Sequence, residues 1–260
     1  MPTTGTSLTT PAINGTAHLD PASRSAPPYT IGPAAPVDID PIAGLLAEAF
    51  TDDLCLGSVM RSTTPIPPSR SSRLFRALLT EAPLRAGTID VAWSPTGLPL
   101  AAAVWVAPEP DNRHRTAPLP PLHVPPLSDY LHALGPSGIL HAARLSREIR
   151  RYRPRTAHWY LATIGVTPPA HGQGLGGHLL RYRLAQIDAL DQAAYLESAS
   201  ARTGRLYRRH GFTPLQPIRA WRGATPWSMW RAPASLRSRG GHQKWAGGAE
   251  AAPGHAGKYS

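Results

Sequence analysis

The sequence predicts an α/β fold of the α+β kind, and three observations point to it. Residues 159–180 read as a buried strand, a short loop and a helix whose first turn is almost all glycine. Residues 88–93 and 100–106, joined by the turn 94–97, read as a hairpin, so those two strands are antiparallel. Two helices precede the hairpin and only short strands follow the glycine-rich helix. The repeated βαβ units of a doubly wound sheet are therefore missing.

The bulk properties bound the class. A chain of 260 residues that is 42% hydrophobic can bury one sizeable core or two small ones. No run approaches the roughly 20 apolar residues of a membrane span. The start, Met1-Pro-Thr-Thr-Gly5, lacks the basic and apolar regions of a secretory signal. The single Cys55 cannot form an internal disulfide and is too few for a cysteine zinc site. Together these point to a cytoplasmic protein. The formal charge of +11 has two readings. One is attraction to an anionic partner such as nucleic acid, a membrane surface or a polyphosphate. The other is compositional. Lys244 and Lys258 are the sole lysines, so the charge is nearly all arginine, beside 30 prolines and abundant alanine, all encoded by GC-rich codons. The arginines are spread along the chain, which favours composition; neither nucleic acid nor a membrane is expected as a partner.

In order, residues 1–28 are rich in Thr, Ser, Pro, Ala and Gly and are expected to be a disordered tail. A strand near residues 29–31 leads to Asp40-Pro41, read as N-cap and first helical residue. Ile42, Leu45, Leu46 and Ala49 then follow at helical spacing, ending near Phe50. A proline-rich loop carrying Asp52 and Asp53 precedes a second helix with Leu74, Phe75, Leu78 and Leu79 on its apolar face. After the hairpin, residues 108–136 are expected to cross the molecule with little regular structure. A helix over 139–152 carries a row of arginines, read as a solvated face. Beyond the glycine-rich helix come a strand at 193–197, a short helix at 202–210, a strand opening at Phe212 and a last strand at 226–231. Residues 29–233 are thus one domain, and residues 234–260 a disordered tail.

The central stretch carries the first chemistry. Tyr160, Leu161, Ile164 and Val166 suit a strand covered on both faces. Gly172, Gly174, Gly176 and Gly177 leave the helix start free of side chains, where unpaired N–H groups and the helix dipole attract phosphate. Three phosphate-binding patterns compete. A P-loop needs Gly-Lys-Ser/Thr, but His178 and Leu179 follow Gly177. A dinucleotide fingerprint fits formally as Gly172-x-Gly174-x-x-Gly177 with Glu197 on a later strand end. However, Pro168 and Pro169 lengthen a turn that this motif needs tight, and the flanking βαβ units are absent.

The third pattern resembles the GNAT acetyltransferases. Residues 166–176, with Pro168, His171, Gly172, Gln173, Gly174, Leu175 and Gly176, are similar to that family's acetyl-CoA motif. Tyr195-Leu196-Glu197 and the run from Leu206 and Tyr207 to Gly211-Phe212 are similar to its second signature. Within the family the likeness is greatest to the puromycin N-acetyltransferases, through residues 161–166, 196–198, Arg202, Tyr207 and 211–213, with Ala49-Phe50 near the start and residues 225–229 near the end. It covers residues 157–215 well and 30–231 more loosely. The resemblance implies a mixed, mostly antiparallel sheet flanked by helices, its central strands splayed so that acetyl-CoA lies between them as co-substrate. It implies that backbone groups of Ile164, Gly165 and Val166 pair with the pantetheine arm and that amides of 172–177 hold the pyrophosphate. His171 stands where the family has Arg or Gln, and Thr203, beside Arg202, where a cofactor-contacting Asn is common.

Acetyl transfer requires a neutral amine, a donor for developing oxyanion charge and a proton for the leaving thiolate. Tyr207 suits the last role, since a phenol is neutral at pH 7 and can donate; its other reading is a core aromatic. Glu197 is the candidate base, its other reading a solvated or ion-paired carboxylate. Asp52 and Asp53 either bind a cationic acceptor or are simply loop residues in water. The histidines are scattered, and no metal is expected. The expectation is an acetyl-CoA-dependent N-acetyltransferase, monomer or homodimer, acting on a small-molecule amine such as an antibiotic or its intermediate. Acetylation of peptide N-termini, or a non-catalytic acyl-CoA-binding module, are the alternatives.

Overall fold

A computed structural model describes residues 28–62, 65–108, 127–221 and 224–238, with the backbone alone over 81–87. The tails expected at 1–28 and beyond 238 fall, apart from Pro28 itself, outside the described residues, as do the turn at 222–223 and residues 109–126 of the crossing.

A seven-stranded sheet runs through the molecule in the order β1-β2-β3-β4-β5-β7-β6. The strands are β1 (Thr30–Pro33), β2 (Gly87–Trp93), β3 (Pro99–Val106), β4 (His158–Val166), β5 (Ala193–Ser198), β6 (Thr213–Pro217) and β7 (Trp227–Arg231). Every neighbouring pair is antiparallel except β4–β5. The hairpin is β2–β3, closed by Ser94 N–H donating to Leu98 O at 2.8 Å. The helices are α1 (Ile39–Ala49), α2 (Leu54–Met60), α3 (Pro68–Ala86), α4 (Leu127–Arg150), α5 (Leu175–Ala189), α6 (Ala201–Arg209) and α7 (Ala234–Ser238).

Two apolar layers sandwich the sheet, as alternating strand faces require. On one side α5 buries Leu175, Leu179, Leu180, Leu184 and Ile187 against Ala101, Ala103, Trp105, Leu161 and Leu196. On the other, α1 and α3 cover Ile89, Val91, Ala102 and Val104 with Ile42, Leu46, Phe75 and Leu79.

Several boundaries differ from expectation, each for a local reason. The first helix begins at Ile39, with Asp38 at the N-cap position, because a 3-10 turn over Pro36–Asp38 runs straight into it. Pro41 then sits in the first turn, where its missing N–H has no intrahelical partner to lose. Asp52 and Asp53 do not lie in a plain loop: α2 follows, and the Asp53 carboxylate caps it by accepting from Leu56 N at 2.7 Å. The crossing is helical from Leu127, and α4 bends where Gly135 takes φ 67° before Pro136. Over residues 234–238 the chain is held, not loose, because α7 is tied by Ser235 to Asp191 and by Arg237 to Asp188.

Candidate active site

The parting of β4 from β5 defines the site. These strands pair in parallel from His158↔Ala193 to Leu161↔Leu196, and there the ladder stops. β4 continues to Val166, still paired with β3, while β5 continues to Ser198, paired with β7. A bulge marks the spot: Thr163 opposes Val104 and Leu161 opposes Trp105, leaving Ala162 as the extra residue. Bulges bend the strand and raise its twist. The strand is consequently not covered on both faces as its apolar run suggested. Ala162 is exposed, and Thr163, Ile164 and Val166 are half-buried, because no strand follows β4 on that side.

The glycine loop lies at the end of this opening. Gly172 and Gly174 take φ 82° and 77°, the left-handed region that costs other residues strain. Gly174 is the N-cap of α5, and no side chain caps that helix. A Cβ on Gly172 would meet nothing within 4 Å, so the space before the loop is open. At Gly176 an added Cβ would lie 3.9 Å from Ile164, Val166 and Leu206, which places the helix start against the far end of β4. An uncapped helix N-terminus facing open space fits the phosphates of a nucleotide cofactor. The reason for glycine is thus backbone conformation at Gly172 and Gly174 more than clearance.

Side chains around this seat are basic. His171 donates through Nε2 to Val166 O at 3.0 Å, so its ring ties the loop to the strand end. His178 stacks on Tyr29 at 5.5 Å between centroids and is hydrogen-bonded to its hydroxyl through Nδ1. Desolvation and nearby Arg181 hold the His178 ring below its ordinary pKa. His210 and Arg181 flank Gly177. At the start of α6, Arg202 is exposed. The Thr203 hydroxyl is spent on the cap, 2.9 Å from Ser198 Oγ and 3.1 Å from Ser200 Oγ.

Tyr207 is 6% exposed and packs edge-on to Phe212 at 6.0 Å between centroids. Burial pushes its phenol well above the usual value, so the hydroxyl keeps its proton across neutral pH. A core position and the capacity to donate therefore coexist in one residue.

Glu197 stands just beyond the last β4–β5 rung. Its Oε1 accepts from Arg153 Nε at 3.1 Å and its Oε2 from the Tyr160 hydroxyl at 2.6 Å. The Arg153 guanidinium lies 3.7 Å from the centroid of the Tyr160 ring. Among the described residues the buried Tyr195 hydroxyl has no hydrogen-bond partner, although Glu197 and Ser228 are near. Cys55, at the start of α2, faces the same region. Burial, with Asp53 and Glu197 nearby, pushes its thiol up to about 12, so it is no nucleophile at neutral pH.

Tyr160 and Arg153 are members of this cluster whose part the sequence reading missed. In the sequence Tyr160 reads as strand bulk, but strand alternation puts Tyr195 and Glu197 on one face and parallel register brings Tyr160 to it. Arg153 follows a helix full of arginines, and no local pattern links it to a carboxylate 44 residues on. Among the described residues no group of three or more His, Cys, Asp or Glu is placed to hold a metal ion, and no helix is long and apolar enough to cross a membrane.

Comparisons with known proteins bear on this geometry. Residues 135–214 match the acetyltransferase (GNAT) domain family. A mycothiol acetyltransferase of Jonesia denitrificans is 33% identical over 94 residues, which is 34% of this chain and 29% of that protein, so the match spans under a third of that relative's length. Among solved structures, a histone acetyltransferase HPA2 and related acetyltransferase from Corynebacterium glutamicum superposes with TM-score 0.61 at 28% identity, covering 79% of this chain and 97% of that one. Arylalkylamine N-acetyltransferase 2 from Aedes aegypti shares the fold at TM-score 0.55 and 12% identity, covering 78% of this chain and 98% of that one. With its splayed parallel pair, its uncapped glycine-led helix and these likenesses, the chain has the GNAT fold, and its residues 135–214 match the GNAT acetyltransferase domain.

Proposed function

We propose that this chain transfers an acetyl group from acetyl-CoA to a primary amine of a small molecule, an antibiotic or an intermediate of one. One observation carries the reading: β4 and β5 part after Leu161 and Leu196, and the uncapped start of α5 stands at the end of that gap. The amides of residues 172–177 hold pyrophosphate there, and Ile164, Gly165 and Val166 offer backbone along the gap, with the Val166 carbonyl already taken by His171. Arg202, exposed at the start of α6, supplies positive charge. Thr203 supplies at most its backbone, its hydroxyl being engaged. Acetyl-CoA, when bound, supplies the acyl group as an activated thioester. Tyr207 keeps a proton at its hydroxyl for the departing sulfur, and Glu197 takes one from the amine, directly or through water. The likeness to puromycin N-acetyltransferases in residues 161–166, 196–198, 202, 207 and 211–213 supports a small antibiotic-like acceptor, handled by a cytoplasmic monomer or homodimer.

A protein amine as acceptor is the second reading, favoured by the description of the Corynebacterium neighbour as a histone acetyltransferase. Titrating purified protein with acetyl-CoA, then following free thiol with small amines, aminonucleosides and peptides, separates the two. If acetyl-CoA binds and no acceptor releases thiol, catalysis is lost and acyl-CoA binding alone remains.

A further inference from the structure

The cluster around Glu197 holds more polar capacity than a single base needs. Arg153 uses Nε on Glu197, and among the described residues its two Nη atoms have no hydrogen-bond partner. The Tyr195 hydroxyl, on a residue 0% exposed, has none either. The Arg153 and Glu197 side chains are 27% and 13% exposed, so both are largely withdrawn from water yet reachable. Of these donors only the Tyr195 hydroxyl is sealed from water, which makes it costly to leave unused, whereas the Arg153 Nη atoms stay open to a partner. The cluster occupies the last rungs of the β4–β5 ladder, with Tyr160 opposite Tyr195 and Glu197 one residue past Leu196. That is the point where the sheet opens and an acceptor amine has to arrive.

We propose that Arg153 and Glu197 form the acceptor subsite and that the acceptor is an amino acid or close analogue, with a carboxylate one carbon from the reacting amine. This inference rests on the acetyltransferase reading above. The acceptor carboxylate takes the free Nη donors of Arg153 in a charge-assisted bond, and its ammonium lies against Glu197. Charge decides between acceptor types. Arg153 and Glu197 cancel, so a zwitterion leaves the buried cluster neutral, whereas a simple amine arrives as an ammonium and adds one uncompensated charge. During transfer Glu197 first takes one proton from the ammonium; the neutral amine then forms its bond to the acetyl carbon, the carbon–sulfur bond of the thioester breaks, the sulfur leaves with the Tyr207 proton, and the second proton, shed by the acylated nitrogen, returns through water to Tyr207.

The test compares each common amino acid with the amine left when its carboxyl group is removed, by thiol release from acetyl-CoA. At least one amino acid should exceed its decarboxylated partner by about tenfold or more in kcat/KM, since a site built to bond a polar group discriminates strongly against its absence. Arg153→Gln should shrink the ratio of amino-acid to plain-amine kcat/KM about tenfold, a ratio in which any effect through Glu197 common to both acceptors cancels; Arg153→Lys should restore part of it. Decarboxylated amines preferred or equal throughout the panel overturn the proposal. So does an Arg153→Gln protein, folded by circular dichroism, that loses both rates alike. If Arg153→Gln does not fold, the wild-type comparison alone decides. If acetyl-CoA binds and no acceptor of any kind releases thiol, the transferase reading fails, and the subsite falls with it.

Discussion

Tyr207 joins two demands that rarely coincide in one side chain. Its ring belongs to the core shared with Phe212 and Leu206, and burial keeps its phenol protonated far above neutral pH. Removing only the hydroxyl preserves the packing, so Tyr207→Phe should lower turnover at least about tenfold, near the low end of acid–base contributions, while acetyl-CoA affinity barely moves. An unchanged rate would take Tyr207 out of the chemistry. Gly165 shows a different single-residue constraint. A Cβ there would lie 2.8 Å from Leu46 Cδ2, 3.1 Å from Ala49 Cβ and 3.3 Å from Phe50 Cε2, so α1 rests directly on the β4 backbone. Gly165→Ala should cost about 1–3 kcal/mol by overpacking, against the modest gain alanine normally brings over glycine in a strand. Urea denaturation checks this, and an equally stable variant would show that α1 shifts freely.

At the scale of elements, α5 concentrates the cofactor argument in its first turn. Gly174→Glu places a Cβ on a residue with φ 77° and a carboxylate at an uncapped helix start. Strain and charge repulsion act together, so acetyl-CoA binding measured by calorimetry should disappear while the fold persists. Retained affinity would mean that phosphate sits elsewhere. The other end of α5 anchors the last described helix. Asp188 accepts from Arg231 at 2.5 and 2.7 Å and from Arg237 at 2.9 Å, and these bonds, Arg231 first, hold its carboxyl below the usual range. A depressed folded pKa means that this stabilisation is present above the unfolded value of about 3.9 and is lost as pH falls through the lower folded value. The stability gap between wild type and Asp188→Asn should therefore be open at pH 7 and close in acid below about pH 4. A gap that stays constant down to pH 2 would refute the linkage.

For the whole molecule, the tie between sheet and helix layer is polar as well as apolar. Arg183 of α5 donates through Nε to Asp90 Oδ2 at 2.8 Å, meets Oδ1 with a second nitrogen, and reaches Thr88 Oγ1 at 3.1 Å. Asp90 on β2 is 0% exposed, and desolvation raises its pKa against the pull of Arg183. Arg183→Leu leaves that carboxyl buried without its partner and should cost about 3–5 kcal/mol, whereas Arg183→Leu with Asp90→Leu should recover most of the loss. Chemical denaturation of the two single variants and the double variant measures this. Additive losses would show that the pair is not coupled.

What could be read without coordinates follows from short-range chemistry. Glycines at 172, 174, 176 and 177 after an apolar strand announce a helix start open to phosphate, because that signal depends on residues a few positions apart. The hairpin, the inward face of α5 and the short α6 were legible for the same reason, each being periodicity within one element. Helix α2 was not, since a seven-residue helix capped by Asp53 between turns carries too little periodicity to stand out. The surroundings of Glu197 needed the assembled sheet. Its partners Tyr160 and Arg153 lie 37 and 44 residues away, on β4 and on the loop after α4, and meet it only because parallel register and the end of α4 bring them there. The parting of β4 from β5 was expected only through the resemblance to the GNAT family, since no periodicity in the residues that line it carries it. A strand reads the same whether its neighbour stays or leaves, and the departure is set by a bulge at Ala162 that only pairing reveals.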